Sequence, residues 1–189
     1  MPLIDHEKNF IFVHIYCTGG TTFRIASKAL GFNYEVVNDE HGRLMDVPHC
    51  KEYFSFAIVR NPYNWMESVY RAIVTRPDHK YHKQVKDLNY YDFLCWYIDV
   101  YGYRQSDFLS SCDDFQLVNY VGRFELLSLS MMNIFNMYGV GDESFLFPRS
   151  NQTKKIPIIV EDKTVAVINH YFDCDFKHFN YKKEEAFSI

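Results

Sequence analysis

Apolar residues follow two different periods along this chain, and its first thirty residues contain both. Residues 10–15 read Phe-Ile-Phe-Val-His-Ile, a nearly continuous apolar run that is typical of a strand buried on both faces of a parallel sheet. After two glycines, apolar residues recur at helical spacing over residues 21–30, and Gly31 supplies a C-terminal stop. The order of strand, glycine loop and helix is typical of a phosphate-binding segment.

A second helix begins with a clear capping signal. Asn61 suits the N-cap, and Pro62 suits the first helical position, where its missing N–H costs nothing. The residues that follow form an apolar face expected to pack on the sheet: Trp65, Met66, Val69, Tyr70, Ile73 and Val74. This helix follows an apolar run over residues 53–59, which predicts a buried strand ending at Arg60.

The alternation of strands and helices continues along the chain. Further strands are predicted over residues 34–37 and 116–123, and further helices over residues 90–103, 126–138 and 161–172. Residues 77–88 are expected to form a solvated basic loop. Strands that alternate with helices imply a parallel sheet with ligands at the carboxyl ends of its strands. The predicted fold class is α/β, a P-loop NTPase-like three-layer fold with a central parallel sheet flanked by helices.

Composition narrows the functional classes. A chain of 189 residues with 48% hydrophobic residues suits one domain over residues 1–189. The net charge of −4 argues against a general nucleic-acid binder. Five scattered cysteines without a C-x-x-C pair suggest neither a disulfide framework nor a zinc ribbon, and fit a reducing compartment. Without a leader or an apolar run of about 20 residues, the chain is expected to be soluble and cytoplasmic.

The loop Tyr16-Cys17-Thr18-Gly19-Gly20-Thr21-Thr22 carries the first candidate chemistry. Adjacent glycines let backbone N–H groups approach an anion at a helix N-terminus, where the helix dipole also favours negative charge. Thr18, Thr21 and Thr22 add hydroxyl donors. An ordinary tight turn is the alternative. The loop lacks the lysine of a Walker A motif, which counts against an ATP or GTP enzyme.

A second candidate group is formed by Arg60 and Ser68. An arginine at the end of a strand and a serine two helical turns later would bind the same phosphate. The guanidinium would supply a charged fork of N–H groups, and the serine would donate from its hydroxyl. The alternatives are a surface serine on the helix and an arginine in a salt bridge.

Several segments in sequence order resemble the PAPS-dependent sulfotransferases, in particular the branch that modifies carbohydrate and other hydroxyl acceptors. Residues 14–22 (His-Ile-Tyr-Cys-Thr-Gly-Gly-Thr-Thr) are similar to that family's phosphosulfate loop, His-Ile-Pro-Lys-Thr-Gly-Gly-Thr-Ser. Residues 56–62, with Ser68 and Tyr70, resemble its 3'-phosphate signature. The later matches are Gly122-Arg123-Phe124-Glu125, Asn151-Gln152-Thr153, and a C-terminal pattern of Tyr171, Asp175, Phe176, Phe179 and Tyr181.

The resemblance implies a sulfotransferase that moves a sulfuryl group from 3'-phosphoadenosine-5'-phosphosulfate (PAPS) to a hydroxyl, releases adenosine 3',5'-bisphosphate (PAP), and needs no metal. It places the 5'-phosphosulfate at residues 18–22 and the 3'-phosphate at Arg60 and Ser68, with Arg123 in the donor pocket. It implies His41 as the base that removes the hydroxyl proton, with His49 as the reserve.

Cys17 stands where the family has a lysine that stabilises charge on the leaving phosphate oxygen, so the loop is expected to differ in catalysis. Arg24, Lys28 or a basic residue from the His79 to Lys86 loop would be substitutes for that lysine. A second hypothesis is therefore a PAPS- or PAP-binding protein that catalyses little. A third is a cysteine-dependent phosphatase with Cys17 as nucleophile, although Arg24 comes one residue late for that motif.

Histidine and cysteine also recur near the C-terminus, at His170, Cys174 and His178. On one continuous helix, this four-residue spacing would present a zinc-ligand stripe. The C-terminal resemblance instead places a helix end there, so no metal site is expected.

Overall fold

The computed structural model describes residues 2–37, 42–110, 118–140 and 154–185. It is a mixed α/β structure in which helices flank a sheet of five strands, arranged in the order β3-β1-β2-β4-β5. The strands are β1 (Pro2–Asp5), β2 (Phe10–Val13), β3 (Glu35–Val36), β4 (Phe54–Val59) and β5 (Tyr120–Arg123). The α/β class is thus confirmed, whereas the likeness to a P-loop NTPase fold stays a prediction.

The predicted parallel sheet is found only in part: the sheet is mixed, because β1 enters it in the opposite direction. β2, β4 and β5 are parallel, but β1 pairs antiparallel with both β2 and β3. A hairpin forms because the chain reverses within residues 6–9, where Asp5 Oδ1 accepts from Lys8 N–H (2.9 Å) and Asn9 is left-handed (φ 55°). Four residues at the start of the chain give too short a pattern for their pairing to be predicted.

The first compact unit comprises residues Met1–Arg60 and Gln105–Asn151 and contains the whole sheet. Its helices are α1 (Gly20–Ala29) and α5 (Leu127–Met137). Alternate residues of the strands meet these helices in one cluster: Leu3, Phe10, Phe12, Phe23, Ala26, Phe32, Phe56, Ile58, Met131, Ile134 and Phe135. Six phenylalanines give this core its volume, and Phe23 of α1 stacks on Phe135 of α5 at 5.7 Å.

The second compact unit comprises residues Asn61–Arg104 and Gln152–Ile189. Its helices are α2 (Pro62–Val74), α3 (His82–Val85), α4 (Tyr90–Trp96), α6 (Asp162–Tyr171) and α7 (Asp173–His178). The predicted cap is confirmed, because Asn61 Oδ1 accepts from Tyr63 N–H at 3.0 Å and Pro62 follows. The expected basic loop is partly helical, since α3 lies within it. The prediction of one domain over residues 1–189 stays a prediction.

The C-terminal helices do not form one continuous rod. α6 ends at Tyr171 and α7 begins at Asp173, so His170 lies on a different helix from Cys174 and His178. The described part of the chain contains no group of three or more metal-ligating side chains, and no helix there is long and apolar enough to cross a membrane.

Candidate functional site

The glycine loop connects β2 to α1 through an unusual backbone conformation. Cys17 and Gly19 both have positive φ, 60° and 95°, on either side of Thr18. Thr18 is fully buried, and its Oγ1 donates to the carbonyl of Ile15 at 2.8 Å. Left-handed residues placed between ordinary ones turn successive N–H groups towards one side, a geometry that makes anion-binding concavities.

Neighbouring side chains leave no room for a Cβ atom at positions 19 and 20. A Cβ on Gly20 would lie 2.0 Å from the His14 imidazole, so the ring occupies the space that a side chain would need. A Cβ on Gly19 would lie 2.9 Å from Leu127 and 3.5 Å from Phe124. The two glycines therefore let the loop backbone approach its surroundings more closely than any other residue would allow.

The N-terminus of α1 is suited to an anion. Gly19 caps this ten-residue helix without a side-chain hydrogen bond, and the first turn carries no acidic residue. Thr22 is buried and Thr21 is half-buried in that turn. Since the first N–H groups of a helix have no intrahelical acceptor and carry the positive end of the dipole, negative charge is favoured here.

Arg60 follows the last residue of β4 and reaches the glycine loop. Its Nη1 donates to the carbonyl of Cys17 at 3.4 Å, and its guanidinium carbon lies 4.3 Å from the centroid of the Phe124 ring. This cation–π contact and the hydrogen bond to Cys17 hold the guanidinium beside the loop. Arg60 therefore contacts the glycine loop directly, whereas its assignment to a 3'-phosphate stays a prediction.

Gln105 fixes the backbone of Arg60. Its Oε1 accepts from Arg60 N–H and its Nε2 donates to Arg60 C=O, both at 2.8 Å. Gln105 is fully buried, so this amide replaces the sheet partner that the chain loses when β4 ends.

Arg123 brings a second cation to the same edge of the sheet. It is the last residue of β5 and pairs in register with Val59, the neighbour of Arg60. The Ser130 hydroxyl accepts from Arg123 N–H at 3.0 Å and donates to Arg123 C=O at 3.1 Å, which anchors the strand end to α5. Because β2, β4 and β5 are parallel, their carboxyl ends bring the loop, Arg60 and Arg123 to one edge.

The remaining predicted residues have different outcomes. Ser68 lies half-buried on α2, in the second compact unit, and its partnership with Arg60 on one phosphate stays a prediction. His41 and the Asn151-Gln152-Thr153 segment lie outside the described residues. The reserve base His49 is exposed, and its Nδ1 lies 3.0 Å from Glu52 Oε1.

The structure also limits which residues could replace the loop lysine. Lys28 lies in the last turn of α1, about 12 Å along the helix from Gly20 at 1.5 Å per residue. In the 77–88 segment, burial lowers the pKa of His79 below its usual 6.5, and the nearby Arg76 and Lys80 lower the pKa further. His79 is therefore neutral at pH 7 and does not supply the positive charge of the missing lysine.

Three residues near the loop were missed by sequence reasoning. His14 was seen only as part of a strand-like run and of the loop motif, Gln105 lies in a segment without periodicity, and Phe124 was seen only as part of a motif. The sequence feature that could have identified His14 is a polar residue directly after a buried strand. No local pattern indicates that Gln105 would bind a strand end 45 residues earlier in the chain.

Replacing Gln105 with leucine is expected to lower the free energy of unfolding by about 1–2 kcal/mol, because the Arg60 N–H and C=O lose their partners in a half-buried place. Urea unfolding measures this loss. Gln84→Leu, on an exposed position of α3, is the matched control and is expected to change stability by less than about 0.5 kcal/mol. Equal losses in the two variants would contradict the role of Gln105.

Comparisons with known proteins give no family assignment. A scan against protein-family models, a search of curated proteins and a search of solved structures each find no match for this chain.

Proposed function

We propose that this protein is a sulfotransferase that transfers a sulfuryl group from PAPS to a hydroxyl acceptor, on a carbohydrate or another small molecule. The observation that carries the proposal is the contact of Arg60 with the glycine loop, 3.4 Å from Nη1 to the Cys17 carbonyl. It joins two segments, 43 residues apart, that the sequence resemblance assigns to the two ends of one nucleotide.

The charges of the donor fit this edge of the sheet. The 5'-phosphosulfate would lie at the N-terminus of α1, where residues 18–22 supply backbone N–H groups and no carboxylate stands in the first turn. The Thr18 hydroxyl does not take part, because it donates to the Ile15 carbonyl. The 3'-phosphate would be bound by Arg60, as a charge-assisted contact. Arg123, the register partner of Val59, adds a second positive charge at this edge of the sheet. These cations would balance the donor's negative charge locally, although the chain's net charge is −4.

The reaction requires no electron transfer. The acceptor oxygen forms a bond to sulfur while the bond between sulfur and the bridging phosphate oxygen breaks, and the electron pair stays on the phosphate of PAP. A base, for which His41 is the candidate, takes the hydroxyl proton. The loop N–H groups and nearby guanidinium would stabilise the charge that develops on the leaving oxygen.

A PAPS- or PAP-binding protein with little catalysis is the second candidate, and Cys17 is the observation that favours it. A cysteine side chain occupies the position where the resembling family has a lysine ammonium group. Arg60 gives the leaving group a cation near Cys17, but its guanidinium is held by the Cys17 carbonyl and the Phe124 ring. The donor site would then be complete for binding and incomplete for transfer.

Binding of PAP, measured by calorimetry, tests both candidates together. The wild type is expected to bind PAP, and Arg60→Ala is expected to bind it about ten- to a hundredfold more weakly, the cost of a lost hydrogen bond to a charged group. Arg43→Ala is the control, because Arg43 pairs with Asp46 and has no assigned role in the donor pocket. Its PAP affinity is expected to equal that of the wild type.

Folding must be checked in parallel, since Arg60 also contacts the loop. Circular dichroism melting distinguishes a folded Arg60→Ala protein from an unfolded one, and Arg60→Lys retains the charge if the alanine variant unfolds. Failure of the folded wild type to bind PAP at millimolar concentration would overturn both candidates. Equal binding by wild type and Arg60→Ala would overturn the assignment of Arg60.

A further inference from the structure

Helix α5 presents apolar side chains on two opposite faces. Its inner face lies in the core of the first compact unit and carries three side chains that are at most 1% exposed: Met131, Ile134 and Phe135. On the outer face, Leu129 is 50% exposed and Met137 is 54% exposed. Leu126, which directly precedes the helix, is 55% exposed. Three large apolar side chains are therefore in contact with solvent.

The exposed residues form one stripe along the helix, which we call the α5 stripe: Leu126, Leu129, Asn133 and Met137. Successive members are three or four residues apart, the spacing that places side chains on one side of a helix. Asn133 is exposed, and its Nδ2 donates to the Tyr120 hydroxyl of β5 at 3.3 Å. At 1.5 Å per residue, the stripe is about 16 Å long. It is a continuous surface rather than a set of scattered apolar residues.

The α5 stripe also has no charge. No aspartate, glutamate, lysine or arginine lies between Glu125 and Asp142, although 23% of the chain's residues are charged. The outer face of a surface helix ordinarily carries polar and charged residues, whereas a helix that is apolar on both sides is ordinarily buried. A contiguous exposed apolar patch of this kind marks an interaction site.

The α5 stripe is symmetric about Asn133. Leu129 lies four residues before it and Met137 four residues after it, so two antiparallel copies that cross at Asn133 would match Leu129 of each copy with Met137 of the other. An asparagine amide has two N–H groups and an oxygen, and one N–H group already goes to Tyr120. The other N–H group and the oxygen suit the same amide of a second copy. One asparagine in an apolar seam fixes the register of paired helices.

Charge also favours a second copy over other occupants. Each chain carries a net charge of −4, so two copies repel each other except where the contact surface is uncharged. Contact between two α5 stripes buries no unpaired charge, which would otherwise weaken the contact. A membrane surface is disfavoured, since an interfacial helix is ordinarily rich in lysine and arginine and α5 has neither.

We propose that the α5 stripe binds the same stripe of a second copy of this chain, with the two helices antiparallel about a two-fold axis at Asn133. This interface does not depend on the function proposed for the glycine loop. It is an isologous contact, in which both copies use the same surface. A stripe about 16 Å long and about 10 Å wide is smaller than a standard interface of about 1,200–2,000 Å², so the dimer is expected to be weak and reversible.

Sedimentation equilibrium of the full chain measures the association. Between about 10 and 500 µM, the average mass of the wild type is expected to rise from that of a monomer towards that of a dimer. Leu129→Lys buries a charge against Met137 of the second copy and is expected to weaken the dimer at least about tenfold. Val100→Lys is the matched control, because Val100 is 54% exposed but lies in the second compact unit. It is expected to associate as the wild type does.

Mixing two charged variants tests the antiparallel register. Met137→Glu alone is expected to dimerise as weakly as Leu129→Lys. In an equimolar mixture, the introduced lysine and glutamate would meet at one end of the interface, while Leu129 and Met137 still meet at the other. The mixture is therefore expected to recover dimers that neither variant forms alone. Parallel helices would instead place Leu129 beside its own copy, so a mixture of Leu129→Lys with Leu129→Glu would be the one that recovers.

Four results would overturn the proposal. One is a wild type that stays monomeric over the whole concentration range, as expected if another protein covers the stripe. Another is a Leu129→Lys variant that dimerises as strongly as the wild type, since the contact would then lie elsewhere. The third is failure of the mixture of Leu129→Lys and Met137→Glu to recover dimers. The fourth is a large loss of stability in Leu129→Lys, measured by circular dichroism melting, because the chain itself would then cover the stripe.

Discussion

Replacing Cys17 with lysine is expected to raise the rate of sulfuryl transfer from PAPS by about a hundred- to a thousandfold, the usual effect of one charge-stabilising donor at a leaving oxygen. Cys17 begins the loop in a left-handed conformation (φ 60°), which a lysine would adopt with similar strain. The backbone carbonyl that binds Arg60 is retained. Transfer of labelled sulfate to a panel of hydroxyl acceptors measures the change.

Two further substitutions at the same position separate charge from other effects. Cys17→Met has a long side chain without charge and is expected to leave the transfer rate near that of the wild type. A wild-type rate that already equals that of Cys17→Lys would contradict the importance of the missing charge.

The phosphatase hypothesis predicts instead that wild type hydrolyses an aryl phosphate and that Cys17→Ser does not.

Replacing Gly20 with valine is expected to lower the free energy of unfolding by about 3 kcal/mol, at the upper end of the cost of overpacking. The new Cβ would meet the His14 ring at 2.0 Å, and that ring is itself stacked 6.0 Å from Phe12 of β2. Either the ring must leave its place or α1 must move away from β2. Urea unfolding measures the cost, and PAP affinity is expected to fall with it.

A double-mutant cycle with His14→Ala tests the cause. In the Gly20→Val background, removal of the ring is expected to recover part of the lost stability, whereas in the wild type it only removes packing. Thr21→Val places the same β-branched side chain at the next, half-buried position and is the matched control. Additive effects of the Gly20 and His14 substitutions would contradict a clash between them.

Local sequence patterns were sufficient to predict the strand and the helix on either side of the glycine loop. The apolar run at residues 10–15 contains β2, the helical spacing after it gives α1 within one residue at each end, and Pro62 marks the start of α2 as predicted. These elements are dictated by neighbours in sequence: a run of buried side chains, a cap and a glycine. The direction of β1 was not predictable, because strand pairing depends on hydrogen bonds to another segment.

The sequence by itself determined that two glycines follow a buried strand and open a helix, and that an arginine ends the next predicted strand. Only the tertiary structure decided that Arg60 contacts the Cys17 carbonyl, that Gln105 holds Arg60, and that the His14 ring fills the space above Gly20. The reason is physical. Strand and helix periods are set within a few residues, whereas these contacts join side chains whose positions depend on how the sheet and its loops pack.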